Sequence, residues 1–493
     1  MIKRQRIFSF FLAALLTGSA MLSCSSPEVQ ETAAETAAEA ETVSGETEEA
    51  EETEEPRLDS GLPGSDLNGY EITFFGKEVS GVLEEETTGD VVVDAIYNRN
   101  LLLESTYNFK IAEVLASNQE YAITEALQTV YAGDDSYQVL MDGGNRFVEF
   151  IQQGMMHDMN TLTYQDFTKP WWYKNLNDGV SLKNKLFMSV AAFMLTSYTQ
   201  VYHPIVNADI ALDLGVDKAD LYQSVRDGKW TIDEFAKLCQ IGSRDLNGDG
   251  VMDHQDQWGF QTQAYSGYAL ALGCGYRIAD KDESDLPYIS VATDNSIDLW
   301  DKLCSLIFSQ KDVFLATQNI TGVESTWTAA STITNEGRAL VAFGSLSAGM
   351  RDLEYDYAVL PAPKRDEQQE FYYHTGSSWN TPMLGVPTSV QALDNVSFIL
   401  EAMAYESYYS VLPDFYSNYL ETKLVRDEDS IEMLEIIHSS MFYDAGAVYN
   451  WGAFLGAAYD VVTSGTNNLV TVAASKNALA TKEIQRMLDK IGD

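Results

Sequence analysis

The sequence predicts an α/β fold of two lobes with ligand space between them, and three observations carry that expectation. Alternating stretches of strand type are separated by stretches with helical spacing, which implies mostly parallel sheets covered by helices on both faces. The pattern appears at 70–76, 109–115 and 137–141 and recurs at 201–206, 339–343, 357–360 and 383–386. Apolar residues make up 45% of the 493, ample for a core and too much for one small domain. Open sheets of this kind bind at their carboxyl edges, which places the ligand between the lobes.

Lys3, Arg4 and Arg6 precede an almost uninterrupted apolar run over residues 7–22. Its length falls short of the roughly 20 residues that cross a bilayer as a helix, so residues 1–23 read as a secretory signal. The cut is expected within Met21-Leu22-Ser23-Cys24, leaving Cys24 as the new N-terminus. This resembles the bacterial lipoprotein pattern, in which the cysteine is acylated. The alternative is an ordinary secreted protein with a stray cysteine. From Ser25 to Pro56 there is no Lys or Arg, and 12 Glu alternate with Ala, Thr and Ser. Such a segment has too little apolar surface to order itself, so residues 24–65 are expected to be a disordered tether reaching roughly 35 Å.

The formal charge is −43 for the whole chain. Without the three cations of the signal and the tether glutamates, residues 57–493 still carry −34. That surface repels nucleic acid, heparin and anionic lipid, and points to uncharged or cationic ligands. Cys239, Cys274 and Cys304 are too sparse for a disulfide framework and read as buried reduced thiols, with one bridge plus a free thiol as the alternative.

Along the body, Tyr70–Gly76 alternates like a strand after the Leu67-Asn68-Gly69 turn. Residues 92–107 have helical spacing, with Ile96, Leu101, Leu103 and Tyr107 on one side. A strand at Phe109–Leu115, a helix at 121–131 and a strand at 137–141 follow. From Asp394 onward the pattern is mainly helical, and no internal repeat is visible.

The strongest local motif places Asp245, Asn247, Asp249, Asp253 and Asp256 at positions 1, 3, 5, 9 and 12 of one loop. Gly250 stands at position 6, where the loop must turn sharply, and Val251 offers its carbonyl at position 7. That is the spacing of an EF-hand-type Ca²⁺ loop, and Asp at position 12 resembles dockerin-type loops. Thr231 and Glu234 form a capping box for the helix leading in, whose apolar face is Ile232, Phe235 and Leu238. The helix expected after a paired EF-hand is missing. A structural Ca²⁺ site is expected, and the alternative is an Asx-rich turn satisfying its own backbone.

His157, His203, His254, His374 and His438 look scattered and form no zinc motif. There is no G-x-S-x-G elbow, P-loop or dinucleotide fingerprint. With 74 carboxylates, chance Asp/Glu pairs are guaranteed, so no glycosidase dyad can be argued. Catalysis has no support in the sequence. Aromatics do stand out: Trp171 and Trp172 follow Pro170, Trp379 sits among small polar residues, and Trp451 lies between Asn450 and Gly452. Flat apolar rings flanked by amides and hydroxyls suit stacking on sugar faces. The alternative is packing, favoured for Trp230, Trp258 and Trp300.

Several stretches are shared with one family: Asn98-Arg99-Asn100 with Tyr107-Asn108, Lys169-Pro170-Trp171-Trp172, Asp227-Gly228-Lys229-Trp230-Thr231, Asp245 to Gly250, Asp356 to Lys364, and Arg426 to Ser430. Over residues 66–493 their order resembles the extracellular solute-binding proteins, family 1, that serve ABC sugar importers, particularly the long clostridial-type members. The resemblance implies a type II periplasmic-binding-protein-like fold: two α/β lobes joined by hinge segments, closing over ligand and delivering it to a permease without catalysis. Family order implies lobe 1 at 66–187 and 375–411, and lobe 2 at 188–374 and 412–493. Comparison with the maltodextrin-binding branch implies that Asn145 and Arg146 grip sugar hydroxyls, with a surface or helix-dipole role the alternative for Arg146, and that Trp451 is an aromatic platform. Ser345 ends a strand where that branch carries a tryptophan that is missing here, and Trp379 lies near the crossing back into the first lobe.

Together these features describe a monomeric, lipid-anchored, extracytoplasmic protein that takes a neutral sugar or oligosaccharide and hands it to an ABC permease. Asn145, Arg146, Trp171, Trp172, Ser345, Trp379 and Trp451 are the expected ligand contacts. The alternatives are a cell-surface glycoside hydrolase with a dockerin-like loop, or a glycan-adhesion protein.

Overall fold

The computed structural model describes residues 56–346, 348–422 and 424–492. The signal peptide, Cys24 and the tether up to residue 55 lie outside the described residues, and residues 56–67 carry no helix or strand. The strands are β1 (Tyr70–Gly76), β2 (Phe109–Leu115), β3 (Val139–Gly143), β4 (His203–Asn207), β5 (Trp258–Thr262), β6 (Ala279–Lys281), β7 (Pro287–Ile289), β8 (Phe314–Ala316), β9 (Ala339–Gly344), β10 (Tyr357–Val359) and β11 (Pro382–Gly385).

The first sheet has the order β11-β3-β1-β2, with β1 parallel to both neighbours and β11 antiparallel to β3. The second has the order β10-β4-β9-β5-β8, with β5 parallel to β8 and β9 and with β4 alone reversed, antiparallel to both β9 and β10. β6 and β7 form a separate hairpin ladder. In β1, Ile72, Phe74 and Phe75 are all buried, as a strand paired on both edges and covered on both faces requires.

Asp90 caps the Val91–Tyr107 helix by accepting from the backbone N–H of Val92 and Val93. Its inner face differs from the expected stripe. Leu101 is 52% exposed, whereas Arg99 and Asn100 are buried. Arg99 donates to the carbonyls of Gly81 and Val82 and to Ser407 of the long Leu393–Glu421 helix, so polar bonds outrank apolar spacing here. The expected helix at 121–131 is split into a 3₁₀ turn (Ala122–Ala126) and a short helix (Leu127–Tyr131). Within that turn, the Ile123 N–H is donated to Asp142. The Ile232–Ile241 helix forms, but Thr231 makes no side-chain cap, and Ile232 N–H bonds the Lys364 carbonyl instead.

Ser189 pairs with Leu384 of β11, so residues just past 187 still belong to the first sheet. The Leu393–Glu421 helix packs on Val91–Tyr107 and runs past 411, and the C-terminal Leu469–Ile491 helix packs on Phe147–Gln153 of the first lobe. Glu428–Ser439 packs on β10 in the second. Cys239, Cys274 and Cys304 are buried and unbridged, and burial pushes the Cys274 thiol up to about 12 and Cys304 to about 11. Thiols held protonated in this way are inert.

Candidate functional site

The carboxyl edge of the first sheet is closed by the segment that returns the chain to it. At Gly143 an added Cβ would stand 2.2 Å from the Trp379 carbonyl, and at Gly144 it would stand 2.8 Å from Met383 Sδ and 3.3 Å from Val448. Two consecutive glycines therefore let 376–383 and the Ala445–Val448 turn approach the end of β3. The chain then presents Asn145 and Arg146. Asn145 N–H donates to the Ser378 carbonyl at 3.1 Å, while its Oδ1 is buried without a partner among the described residues.

Arg146 is held between two rings. Its guanidinium carbon lies 4.1 Å from the Tyr121 ring centroid and 4.6 Å from that of Trp379. Its Nε is buried with no acceptor among the described residues. Lys77, the residue after β1, lies close enough that burial and the Arg146 charge lower its pKa while Asp142 raises it. Burial likewise lifts the Asp142 carboxyl, against backbone N–H bonds from Ile123 and Gly143 that use both its oxygens. This edge thus offers fixed cationic donors beside a planar ring, a combination that binds hydroxyls and a flat apolar face together.

Three segments pass between the lobes side by side: Val201 bridges Gly376, Tyr202 N–H donates to the Thr375 carbonyl, and His374 bridges Met441. Histidines that look scattered in sequence meet here. His203, His374 and His438 are all buried, one on each segment. Burial lowers His374, and the neighbouring His203 and His438 lower it further.

The second lobe meets this crossing through Tyr265, whose hydroxyl donates to the Gly376 carbonyl at 2.5 Å and accepts from Ser378 N–H. Tyr202 and Tyr459 pack on Tyr265 at 5.3 and 5.7 Å between ring centroids. The hydroxyls of Ser266 and Tyr459 are buried without partners among the described residues. Ser345 follows β9, whose Gly344 pairs with His203, so it stands at the carboxyl edge beside the crossing.

The expected aromatic contacts divide. Trp379 is 38% exposed and belongs to the cluster. Trp451 is buried, stacked on Tyr449 at 4.9 Å, and among the described residues its Nε1 and the adjacent Asn450 Oδ1 have no partner. It follows the turn whose Val448 packs on Gly144, and its buried ring presents no open face. Trp171 and Trp172 are not brought to the site. Both are buried in the first lobe and donate their Nε1–H to opposite oxygens of Glu401, at 2.6 and 2.8 Å. Buried rings fixed by a shared carboxylate have no face to offer a ligand.

In the acidic loop, Asp245 accepts from the backbone N–H of Gly248 and Gly250, Asn247 from Asp249, and Asp249 from Val251. Asp253 accepts from Gln255, and Asp256 from Leu246 and Asp253. Val251 is exposed. Among the described residues no group of three His, Cys, Asp or Glu is placed to hold a metal. Each oxygen of Asp245 and of Asp256 accepts one backbone N–H, which holds the loop in its turns.

No protein-family model and no curated protein matches the sequence. Among solved structures, UspC of M. tuberculosis is similar, with a TM-score of 0.54 and 13% identity over 84% of this chain and 100% of that one. An ABC substrate-binding protein of Listeria monocytogenes, solved with cycloalternan, gives a TM-score of 0.47 and 13% identity over 86% and 99%. The fold is the two-lobed α/β fold with a hinge between its lobes.

Proposed function

We propose that the chain is the solute-binding lipoprotein of an ABC importer, capturing a neutral sugar or oligosaccharide between its lobes and passing it to the permease without catalysis. The observation that carries this reading is Arg146 clamped between Tyr121 and Trp379, beside the unpartnered Asn145 Oδ1, at the carboxyl edge of a sheet. The two-lobed fold supports it, because such lobes close about a hinge on what lies between them. The charge of −34 on residues 57–493 disfavours anionic cargo. Asn145, Arg146, Ser345, Trp379 and Trp451 are the proposed contacts, and Cys24 the proposed lipid attachment holding a monomer at the outer face of the membrane. A structural Ca²⁺ in the loop of Asp245, Asn247, Asp249, Val251, Asp253 and Asp256 is part of the proposal and rests on residue spacing.

Titration with neutral mono- and oligosaccharides tests it. Binding is expected to shift tryptophan emission and to compact the protein in solution scattering, with no products released. Turnover of the sugar would overturn the reading in favour of a hydrolase, and absence of binding to every sugar would overturn it outright. Palmitate labelling that persists in Cys24→Ala would remove the anchor.

A further inference from the structure

Six of the eight tryptophans are 2% exposed or less, and the two that are not are Trp379 and Trp327. Trp327 is 65% exposed and lies in the first turn of the Thr326–Asn335 helix. A ring this size left in solvent stands apart in a chain that buries six of its other seven indoles so fully.

The position of that turn follows from the sheet. β8 and β9 both run parallel to β5, and the helix connects the loop after β8 to the start of β9. It therefore runs opposite to those strands, with its last turn at their amino edge and its first turn at their carboxyl edge. Inward-facing Ala330 and Ile333 pack with Trp258, Leu315, Ile320 and Ala339, which fixes the helix on the sheet. The loop before it is anchored at the same edge: Gln318 accepts from Ala264 N–H, Thr317 donates to the Thr262 carbonyl, and Asn319 donates to the Thr463 carbonyl. Ser325 caps the helix by accepting from Thr328 N–H. Trp327 thus stands on the edge that carries Tyr265 and Ser345, on the lobe opposite Arg146.

The offset matters. β4, where the chain crosses from the other lobe, and β8, whose loop leads to Trp327, are separated by β9 and β5. Strands are about 4.8 Å apart, so the ring lies roughly 10–14 Å along the sheet from the crossing that holds Trp379. One sugar ring does not cover that span.

We infer that Trp327 is the second aromatic wall of the ligand site, and that the ligand is an oligosaccharide of three or more units stacked on Trp379 at the crossing and on Trp327 at the far rim. The inference rests on the carbohydrate reading of the site and specifies its cargo.

The test is calorimetric titration of the full chain with glucose, xylose and the β-1,4- and α-1,4-linked gluco- and xylo-oligosaccharides of two to six units. Trp327→Ala is expected to weaken the tri- and longer saccharides by about tenfold or more while leaving shorter sugars and the melting temperature unchanged. In Trp379→Phe, Trp327 is the remaining exposed indole, and its emission should shift with the longer sugars. Binding of these sugars that is indifferent to Trp327→Ala at every length, or a wild type that binds only monosaccharides, overturns this inference and leaves the carbohydrate reading intact. A wild type that binds none of them overturns this inference, and the carbohydrate reading falls with it only if the wider panel of neutral sugars also fails to bind.

Discussion

His374 accepts the backbone N–H of Ala362 on its Nε2 at 2.8 Å, and so is held as a neutral imidazole on the segment that carries the chain back to the first lobe. Its Nδ1 faces the Ser440 hydroxyl at 2.7 Å. Protonating the ring would break the first of these bonds at the point where all three crossings meet.

Burial also pushes His203 down to about 4 and His438 down to about 3, the latter helped by His203. Each folded pKa lies below the unfolded value of about 6.5, so the unfolded chain binds more protons and stability is lost as pH falls from there. Glu113, Glu401 and Glu435, raised by burial to about 7, act in the opposite sense and lose stability as pH rises from about 4.5 to 7. Substitution separates the two sets. His438→Gln keeps an acceptor for Tyr416 and a donor for the Tyr198 carbonyl. Its deficit in urea unfolding should shrink by up to about 1.4 kcal/mol per pH unit between pH 6.5 and 4. A deficit independent of pH would contradict the buried neutral state.

Glu401 receives two indole donors, and an amide can accept only one of them. Glu401→Gln should cost about 2 kcal/mol or more, since its NH₂ would face an indole N–H. Because the wild-type carboxyl loses stability as pH rises, the gap between the two proteins should narrow from pH 4.5 to 7. Sugar affinity should not change, which distinguishes a core role for Trp171 and Trp172 from a role at the site.

Arg146→Ala and Trp379→Ala should each weaken sugar binding about tenfold with little change in melting. The two touch, so the double variant should lose less than the sum, with a coupling of about 0.5 kcal/mol or more. Arg146→Lys should not restore affinity, because an ammonium lacks the planar face that lies between the rings. Strict additivity in a double-mutant cycle would show that the clamp is incidental.

Chelator should lower the melting temperature if the acidic loop holds Ca²⁺, and Asp249→Ala should abolish that sensitivity. Asp256 behaves differently. Burial raises its carboxyl, but backbone N–H bonds from Asp253, Leu246 and Asn247 outweigh this and hold it below the ordinary range. Asp256→Ala should destabilise the protein with or without chelator, by about 1–3 kcal/mol for the orphaned amides. Equal melting of wild type with chelator and with added Ca²⁺ would leave only the turn.

Local signals were legible where the physics is local. The alternation at Tyr70–Gly76 can be seen within a few residues. The partners that decide the site are distant: Trp171 and Trp172 look like loop aromatics until Glu401, 230 and 229 residues away, engages both. The histidines meet only when three crossings align, and Arg99 turned inward because Ser407 lies 308 residues on. Trp327 carried no warning in sequence, since an exposed and a buried tryptophan in a helix look alike until the strand order fixes the edge on which the helix begins.

The first lobe is begun by β1 and completed by β11, the Leu393–Glu421 helix and the last turns of Leu469–Ile491. No amount of early synthesis can close it. At about 5–20 residues per second, a ribosome takes on the order of half a minute to produce what β1–β3 await. Pairings of such sequence separation are also slow to form afterwards. A nascent chain whose N-terminal lobe cannot finish ahead of its C-terminus stays open until synthesis is complete, so the topology itself delays closure of the first lobe to the last step.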